Sequence, residues 1–509
     1  MKDTILGIDI GTSSIKCCLF SLKGKELFSS SNQYGLLNPS AGVFEIDTSV
    51  LWDATVKAIR DITYQISSTH SRHYNKYKII AVGVCAMMIM PVLMDKNNEV
   101  IRYIIHWFDE RLHKQYYKLK NLGKDRIIAE FSGSILTGES TVNTLDLIKE
   151  TESENYNKIA KFLMIKDFIR YKLTDSVLSD FGDASGTQML DTRKWKWAAD
   201  AIEELGFNRT FFPELARPSD VGGYITKEAA GITGLLEGIP VAVGSGDGIT
   251  TIFGLGTNKD GQTGLIIGSA GVFATAASIF PKDNNLRTYI FCHPFCDRWY
   301  SMLATASSGA TLKWYLNSII KNEHLSFSDL DKEASKVSPG SDGLLFLPYI
   351  LGSRNPYSNP KATGVLLGLR YKHERSHMTR AVFEGIVFEI LDILKAQEEI
   401  LSNNKLKISE IKVAGGITNS TFWVQMVADI LQKDLIITNV KEIGALGSAI
   451  FAAVASGVYN DLEEATSCMV KNEKTVSANG GLKAIYESKF DKFRDIYFAL
   501  KDKFELFSI

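Results

Sequence analysis

The sequence predicts a two-domain α/β protein in which one architecture occurs twice. Apolar runs typical of strands alternate with helical patterns along the chain, with strands predicted at 5–20, 42–46 and 79–94 and helices at 49–66 and 158–172. A turn rich in glycine and hydroxyl residues lies between two apolar runs at 5–20 and again at 263–272. The length of 509 residues exceeds what one core accommodates and indicates two domains of roughly 200–250 residues each.

The first of these turns follows Asp9 and contains Gly11, Thr12 and Ser13. The flanking apolar runs predict a β-hairpin whose turn presents backbone N–H groups and hydroxyls to an anion. Asp9 ends the first strand, where a carboxylate can face Mg²⁺ or a metal-bound water. The segment lacks the Gly-Lys-Ser/Thr and the helix of a Walker phosphate loop. A plain hairpin turn without a ligand is the alternative for this stretch taken alone.

The second turn repeats the order of apolar strand, glycine, hydroxyl, small residues and apolar strand, with Ile267 where the first has its aspartate. Two such hairpins half a chain apart predict two related domains that bind one nucleotide in a cleft between them. Only one hairpin then carries a metal-side carboxylate. A chance Gly-Ser turn is the alternative, since the chain has 40 glycines, but the matching flanks favour a repeat.

Composition indicates a globular protein that binds neither nucleic acid nor membranes. The net charge is −1, and the scattered Lys and Arg residues leave no basic surface. The longest apolar stretch, residues 79–94, contains Gly83 and Pro91 and is too short to span a bilayer. The six cysteines do not form a disulfide framework in so long a chain, and no signal peptide is evident, so we expect a cytoplasmic protein. Cys292 and Cys296 lack a second pair of zinc ligands at a suitable spacing.

The domain boundary is predicted after residue 250, which divides the chain into domains 1–250 and 251–509. An apolar strand at 241–243 runs into a glycine-rich bend, and a helix is predicted at 249–254. Since no Pro-rich or low-complexity linker is present, we expect a short hinge. The last segment, residues 482–507, has the pattern of a charged amphipathic helix that could pack back on the first domain.

Asp247 is the candidate catalytic residue. It lies between Gly246 and Gly248 at the end of an apolar strand, and glycines let a substrate approach the backbone closely. A carboxylate there can accept the proton of a substrate hydroxyl as it attacks the γ-phosphate of a nucleotide. Helix capping is the alternative, because an aspartate before Ile249 would cap a helix well. The residues alone do not decide between these roles.

Taken together, these motifs resemble those of the FGGY carbohydrate kinases, which have the actin/hexokinase-like (ribonuclease H-like) fold. Residues 244–248 resemble the catalytic motif, the two hairpins resemble the phosphate motifs, and residues 364–384 fit the C-terminal signature. Further matches follow in the family's order at 107–111, 166–174, 183–187, 308–314, 347–349 and 415–429. The resemblance covers residues 5–460. Within the family, this chain resembles the xylulokinases most.

The resemblance implies ATP and Mg²⁺ and carries roles over to individual residues. It places Mg²⁺ near Asp9 and Asp247. The nucleotide residues that it implies are Thr12, Ser13 and Lys16 at the terminal phosphates, Gly268 and Ser269 at the β- and γ-phosphates, Gly309 and Lys313 beside the ribose and adenine, and Gly416 and Asn419 at the adenine. The sugar residues that it implies are Met88, Ile89, Trp107, Asp109, Arg111 and Asp247.

Some of these sugar assignments have structural alternatives. Trp107 alone fits a buried aromatic residue better than a ligand contact, whereas Asp109 and Arg111 are harder to bury. Residues 183–185, Asp-Ala-Ser, fit a helix cap as well as a ligand contact.

Several departures from the xylulokinase pattern concern the sugar. Met87-Met88-Ile89 replaces a Gln-Met-His sequence, Gly248 replaces an asparagine after the catalytic aspartate, and Ser353 replaces a glutamate. Residues 143–148 also lack the family's Lys and Trp. Lost hydrogen-bonding side chains alter the discrimination between hydroxyl patterns, which puts D-xylulose in doubt, although methionine is also a common core filler.

The predicted function is ATP-dependent transfer of the γ-phosphoryl group to a hydroxyl of a small open-chain sugar. A pentulose is the first choice, and gluconate or another polyol or sugar acid is the second. A non-catalytic actin-like ATP-binding protein is the alternative from a different class; Asp247 beside its glycines and the sugar segment argue against it. The retained Asp9 and Asp247 argue against a pseudokinase. The expected partners are the sugar and ATP, and a homodimer is left open.

Overall fold

The computed structural model describes residues 1–322 and 324–507. Its strands are β1 (Lys2–Ile10), β2 (Ser14–Ser21), β3 (Glu26–Gln33), β4 (Glu45–Ile46), β5 (Tyr77–Ala86), β6 (Pro91–Met94), β7 (Ile104–Ile105), β8 (Lys161–Met164), β9 (Ser179–Asp180), β10 (Leu190–Asp191), β11 (Lys196–Trp197), β12 (Leu215–Ala216), β13 (Val221–Tyr224), β14 (Pro240–Ala242), β15 (Ser245–Gly246), β16 (Gln262–Ile267), β17 (Gly271–Ala277), β18 (Tyr289–Cys292), β19 (Trp299–Ala304), β20 (Leu345–Leu347), β21 (Val365–Leu367), β22 (Glu410–Ala414), β23 (Leu435–Thr438) and β24 (Asn472–Val476).

The α-helices are α1 (Thr48–Ser67), α2 (Arg111–Asn121), α3 (Lys124–Ser132), α4 (Thr141–Thr151), α5 (Ser153–Lys158), α6 (Ile165–Thr174), α7 (Phe181–Gly186), α8 (Ala199–Glu204), α9 (Lys227–Thr233), α10 (Asp247–Gly254), α11 (Gly309–Trp314), α12 (Phe327–Ala334), α13 (Arg375–Asn403), α14 (Thr421–Leu431), α15 (Ile443–Ala455), α16 (Leu462–Met469) and α17 (Lys483–Leu500). A π-helix covers Tyr315–Ile320, and short 3₁₀ helices cover Arg209–Phe211, Ser341–Gly343, Gly416–Asn419, Gly480–Leu482 and Phe504–Phe507.

The chain forms two compact units. The first consists of Met1–Asn258, Ile290–Tyr300 and Glu442–Lys471, and the second of Lys259–Tyr289, Ser301–Lys441 and Asn472–Ile509. Each unit has helices packed on a mixed β-sheet, so the predicted two-domain α/β fold is confirmed.

The sheet of the first unit has the strand order β13-β14-β5-β1-β2-β3, with β15 pairing with β5. Strand β1 pairs antiparallel with β2 and parallel with β5. Helix α15 packs on β1 and β5, where glycines allow very close contact. A Cβ at Gly7 would lie 2.0 Å from the Ala445 carbonyl oxygen, and one at Gly83 would lie 1.9 Å from that of Ser448.

The second sheet repeats this arrangement, with the order β18-β19-β17-β16-β22-β23-β24. Strand β16 pairs antiparallel with β17 and parallel with β22, as β1 does with β2 and β5. Both predicted hairpins are therefore present, each beside a parallel strand. The buried helix α13 contributes much of the hydrophobic core of the second unit.

The two units do not divide at residue 250, where the sequence prediction places the domain boundary. Helices α15 and α16 lie in the first unit, although they follow most of the second in sequence. The physical reason is the close packing of α15 on the glycines of β1 and β5, which no local pattern reveals. The final helix α17 lies in the second unit, where Phe490 and Phe493 are buried in the core.

Local predictions differ from the structure where distant pairing decides. Residues 161–164, inside the helix predicted over 158–172, form β8 and pair antiparallel with β6. Of residues 42–46, only Glu45 and Ile46 form a strand, paired with β7. Within residues 1–322 and 324–507, every helix is too short or too polar to cross a membrane.

Candidate active site

Asp9 lies in the first unit near the end of β1, directly opposite Lys16 in the β1–β2 ladder. Its Oδ1 accepts a hydrogen bond from the Cys85 thiol at 3.5 Å. Its other oxygen lies beside the start of α15, where a Cβ at Gly444 would be 2.6 Å from Oδ2. Burial raises the pKa of Asp9, and the Cys85 hydrogen bond and the charge of Lys16 oppose this shift. Asp9 is thus a carboxylate held in a confined setting.

Hydrogen bonds hold the turn after Asp9 in place. The Gly11 N–H donates to the Ser14 carbonyl oxygen at 3.0 Å, and the Tyr34 hydroxyl donates to the Gly11 carbonyl oxygen at 2.7 Å. Thr12 and Ser13 are exposed at the tip of this turn. The turn is therefore ordered and presents the two residues predicted for phosphate binding.

Lys16 forms an ion pair with Glu442. Its ammonium group donates to Glu442 Oε2 at 2.7 Å, and Glu442 immediately precedes α15. The hydrogen bond to Glu442 and the charges of Glu442 and Asp9 raise the pKa of Lys16 against the opposing effect of burial. The candidate phosphate lysine is therefore cationic and already paired with a carboxylate.

Asp247 is the first residue of α10 and follows β15 directly. Its Oδ1 accepts a hydrogen bond from the Gly248 N–H at 2.7 Å. The N-cap residue is Gly246, which has no side chain, so Asp247 is not the N-cap considered above, although its carboxylate pairs with one N–H of the first turn. Burial, together with the negative charge of Asp9, raises the pKa of Asp247 to about 7.

Met88 occupies space that glycines leave open next to Asp247. A Cβ at Gly246 would lie 2.3 Å from Met88 Cγ, and one at Gly186 would lie 2.8 Å from Met88 Cε. Ile89 has a φ of +67°, a left-handed conformation that is unusual for a β-branched residue. The Thr141 hydroxyl donates to the Ile89 carbonyl oxygen at 2.7 Å and helps to hold it there. Apolar side chains thus line this part of the candidate site.

The segment predicted to face the sugar places Asp109 and Arg111 in different environments. Asp109 is fully buried and accepts hydrogen bonds from the Phe44 N–H at 2.8 Å and from the Arg111 guanidinium at 2.8 and 2.9 Å. Arg111 also donates to Glu45 at 2.8 Å and remains partly exposed. Asp109 therefore positions Arg111, while Trp107 is 36% exposed and packs edge-on against Phe108.

The cap of α7 is Asp180, whose carboxylate accepts from the N–H groups of Gly182 and Asp183. The Lys166 ammonium lies 2.9 Å from Asp180 Oδ1. Asp183, the first residue of the Asp-Ala-Ser motif, lies inside the helix, and both of its carboxylate oxygens find no hydrogen-bond partner among residues 1–322 and 324–507. Burial raises the pKa of Asp183 well above its ordinary value.

A cavity of about 880 Å³ opens in the second unit. The turn of the β16–β17 hairpin, Gly268 and Ser269, lies at this cavity beside the start of α11. The Gly309 N–H donates to the Gly268 carbonyl oxygen at 2.9 Å, and a Cβ at Gly309 would lie 2.5 Å from that oxygen. The predicted nucleotide residues that line the cavity are Gly268, Ser269, Gly309, Lys313, Gly416 and Asn419.

Three further residues in these sites have no signal in the local sequence. Tyr34 reaches the first turn from 23 positions away, Glu442 reaches Lys16 from 426 positions away, and Asp331 lines the cavity of the second unit. Each is brought to its place by the fold, so a motif search cannot find it.

Comparison with known proteins agrees with this architecture. Models of the N-terminal and C-terminal domains of the FGGY family of carbohydrate kinases match residues 4–254 and 271–456. The xylulose kinase of Lactococcus lactis subsp. lactis (strain IL1403) is 30% identical over 97% of this chain and 96% of its own length. The xylulose kinase of Bacillus subtilis (strain 168) is 29% identical over 98% of this chain and 97% of its own length.

Two solved structures from Lactobacillus acidophilus are similar to this chain along its length. A ligand-bound xylulose kinase has a TM-score of 0.91 and 25% identity, covering 99% of this chain and 100% of its own. A gluconate kinase has the same TM-score and identity and covers 100% of both chains. This chain therefore belongs to the FGGY family of carbohydrate kinases, enzymes that transfer a phosphoryl group to a sugar hydroxyl.

Proposed function

We propose that this enzyme transfers the γ-phosphoryl group of Mg²⁺-bound ATP to a hydroxyl of a small open-chain sugar, with a pentulose as the first choice. The observation that carries the proposal is the setting of Asp247. It is a half-buried carboxylate that begins α10 between two glycines and shares its surroundings with Asp9.

In this proposal Asp247 is the general base. A base works best when its pKa lies near the operating pH, and the pKa of Asp247 is raised to about 7. As the sugar oxygen bonds to the γ-phosphorus, its proton passes to the Asp247 carboxylate and the β–γ bridging oxygen departs with ADP. The glycines on either side leave the carboxylate accessible to the sugar.

Asp9 and Asp247 also fit a divalent cation. The charge of Asp9 contributes to the raised pKa of Asp247, so the two carboxylates repel each other and a cation would relieve that repulsion. The described residues, 1–322 and 324–507, contain no cluster of three His, Cys, Asp or Glu residues suited to a metal. Mg²⁺ in kinases needs only one or two carboxylates besides substrate phosphates, and it would neutralise charge on the transferred phosphoryl group.

The nucleotide would be held by residues already predicted from the sequence. Thr12, Ser13 and Lys16 would contact its terminal phosphates, and Gly268 and Ser269 would contact the β- and γ-phosphates. The nucleoside would occupy the cavity of the second unit, whose lining includes Gly309, Lys313, Gly416 and Asn419.

The charges around Arg111 favour a neutral sugar over a sugar acid. The guanidinium is already paired with Asp109 and Glu45, so this segment has no excess positive charge to attract a carboxylate. Gluconate would need a cation that is not already compensated. A neutral pentulose can instead accept hydrogen bonds from Arg111, and Trp107 can pack against its carbon chain.

The test is ADP release measured against a panel of ketoses, polyols and sugar acids at equal concentration. We expect the highest kcat/KM for a ketose, and loss of that activity in Asp247→Asn. Highest activity on gluconate would overturn the preference for a pentulose, while no activity on any sugar in the panel would overturn the proposed function.

A further inference from the structure

Only two charged side chains line the nucleoside cavity among the residues that the structure describes. They are Lys313 on α11 and Asp331 on α12. Lys313 is a donor of the kind that phosphates and ribose oxygens attract. Asp331 can only accept hydrogen bonds when ionised, so its place in a site for an anionic ligand needs a different explanation.

Helix α12 holds Asp331 in a defined position. The helix begins with reciprocal hydrogen bonds between Ser326 and Asp329, and Leu330 and Ala334 anchor it in the core with no exposed surface. Asp331 is half-buried, and its pKa is raised by burial against a hydrogen bond with the Ser420 side chain. Ser420 is itself fixed, because it accepts from the Trp423 N–H at 3.0 Å at the start of α14. A carboxylate has about four acceptor sites, so one serine does not saturate Asp331.

Phe327 lies one helical turn before Asp331, so the two side chains share a face of α12. Both line the cavity, together with the aromatic Trp314 and Trp423. Phe327 is 48% exposed, so its ring is accessible to a ligand in the cavity. The side of the cavity lined by α12 thus combines an aromatic surface suited to a flat base with an acceptor suited to a donor on that base's edge.

We propose that Asp331 selects the nucleotide by accepting a hydrogen bond from the exocyclic 6-amino group of adenine. This inference rests on the proposed function, since it assumes that the cavity holds the nucleoside of ATP. The 6-amino group donates two hydrogens, whereas the same position of an unsubstituted purine offers only C–H. A purine without the amino group therefore leaves the Asp331 carboxylate partly unpaired in a half-buried site, which weakens binding.

The experiment measures Kd by calorimetry for ADP, for purine riboside 5′-diphosphate (which lacks the 6-amino group) and for 2′-deoxy-ADP. With the unaltered full-length chain, we expect ADP to bind about ten- to a hundredfold more tightly than the purine riboside analogue, as for a hydrogen bond to a charged group. In Asp331→Ala that ratio should fall to about one. In Asp331→Asn, whose amide oxygen still accepts, part of the preference should remain.

Lys332→Ala is the control, because Lys332 lies on the same helix, is exposed and does not line the cavity. Its ratio of ADP to analogue affinity should equal that of the unaltered chain. An unchanged ratio in both Asp331 variants would overturn this proposal while leaving the proposed function intact. The proposal would also be overturned if the Asp331 variants changed only the ratio of the ADP affinity to the 2′-deoxy-ADP affinity, because Asp331 would then contact the ribose. If the unaltered chain bound no nucleotide, the proposed function would fail first and this inference with it.

Discussion

Asp247 and Asp9 place two negative charges in a confined part of the first unit, and both have raised pKa values. Such an arrangement costs folding free energy, which is common where function requires unfavourable electrostatics. Around them, Met88 and Ile89 offer no hydrogen-bonding side chain where a sugar is expected. The proposed catalytic group and the proposed determinants of sugar choice are therefore individual side chains in the same part of the first unit.

Asp247→Asn should abolish turnover while nucleotide binding stays within a few-fold of the unaltered chain. Removal of a general base typically costs about 10²–10⁴ in rate, and the amide keeps the shape of the side chain. The variant should also melt at a higher temperature, because the repulsion with Asp9 is removed. Single-turnover kinetics, ADP calorimetry and thermal melting measure these three effects. Full activity in Asp247→Asn would exclude Asp247 as the base.

Asp9→Ala should increase the Mg²⁺ concentration needed for half-maximal activity, because the metal would lose a carboxylate ligand. Initial rates over a Mg²⁺ titration measure this effect. Asp3→Ala is a suitable control, since Asp3 is exposed near the start of the same strand. An unchanged Mg²⁺ dependence in Asp9→Ala would mean that Asp9 has only a structural role.

Ile89 links sugar choice to backbone strain. A left-handed conformation is disfavoured for a β-branched residue, and histidine adopts it more readily. Ile89→His should therefore stabilise the protein and supply a hydrogen bond that D-xylulose lacks here. We expect D-xylulose to be a poor substrate of the unaltered chain, and we expect its kcat/KM to rise about tenfold in the variant, as for one added hydrogen bond.

Ile89→Leu is the control. It removes the branching at Cβ without adding a hydrogen-bond donor, so it should change the melting temperature and leave the D-xylulose kinetics unchanged. A D-xylulose kcat/KM above that of every other sugar before mutation would contradict this reasoning.

At the scale of elements, the sequence predicts what neighbouring residues determine. The hairpins β1–β2 and β16–β17 follow from apolar runs around short turns, and both are confirmed. Residues 161–164 instead form a strand because they pair with β6, about 70 positions earlier, which outweighs their helical pattern. The same limit applies to the site: Asp247 and the two turns have local signatures, whereas Tyr34, Glu442 and Asp331 are recruited by tertiary packing. The functional roles of all these residues stay predictions.

Helix α15 gives a direct test of element packing. Gly83→Ala would place a Cβ 1.9 Å from the Ser448 carbonyl oxygen, so α15 would have to move away from β5. Overpacking of this kind costs about 1–3 kcal/mol, which for a unit of about 300 residues corresponds to a fall in melting temperature of roughly 2–5 °C. Gly35→Ala is the matched control because a Cβ at Gly35 meets no atom within 4 Å. Equal melting temperatures for the two variants would contradict the close packing of α15 on β5.

For the whole molecule, two related units were predictable from the repeated hairpin, but their composition was not. The first unit takes Glu442–Lys471 from the far end of the chain, and this segment supplies α15. Small residues make that contact on both sides, with Gly7 and Gly83 on the strands and Ala445 and Ser448 on the helix. Small residues at close helix–sheet contacts have no hydrophobic periodicity of their own, so the pattern of the sequence does not reveal them.

The discontinuous first unit predicts that its N-terminal part cannot fold alone. A fragment of residues 1–258 lacks α15, so the face of β1, β2 and β5 that packs on this helix would lose its cover, including Ile5, Phe20 and Cys85, which are fully buried in the intact chain. Burial of each large apolar side chain contributes about 1.5–3 kcal/mol, and a domain's net stability is only about 5–15 kcal/mol. Loss of the helix should therefore remove cooperative folding. Near-UV circular dichroism and thermal melting of the fragment, compared with the full chain, measure this. A fragment with a sharp melting transition and native-like near-UV signals would show that the first unit folds without α15. Such a result would contradict this prediction.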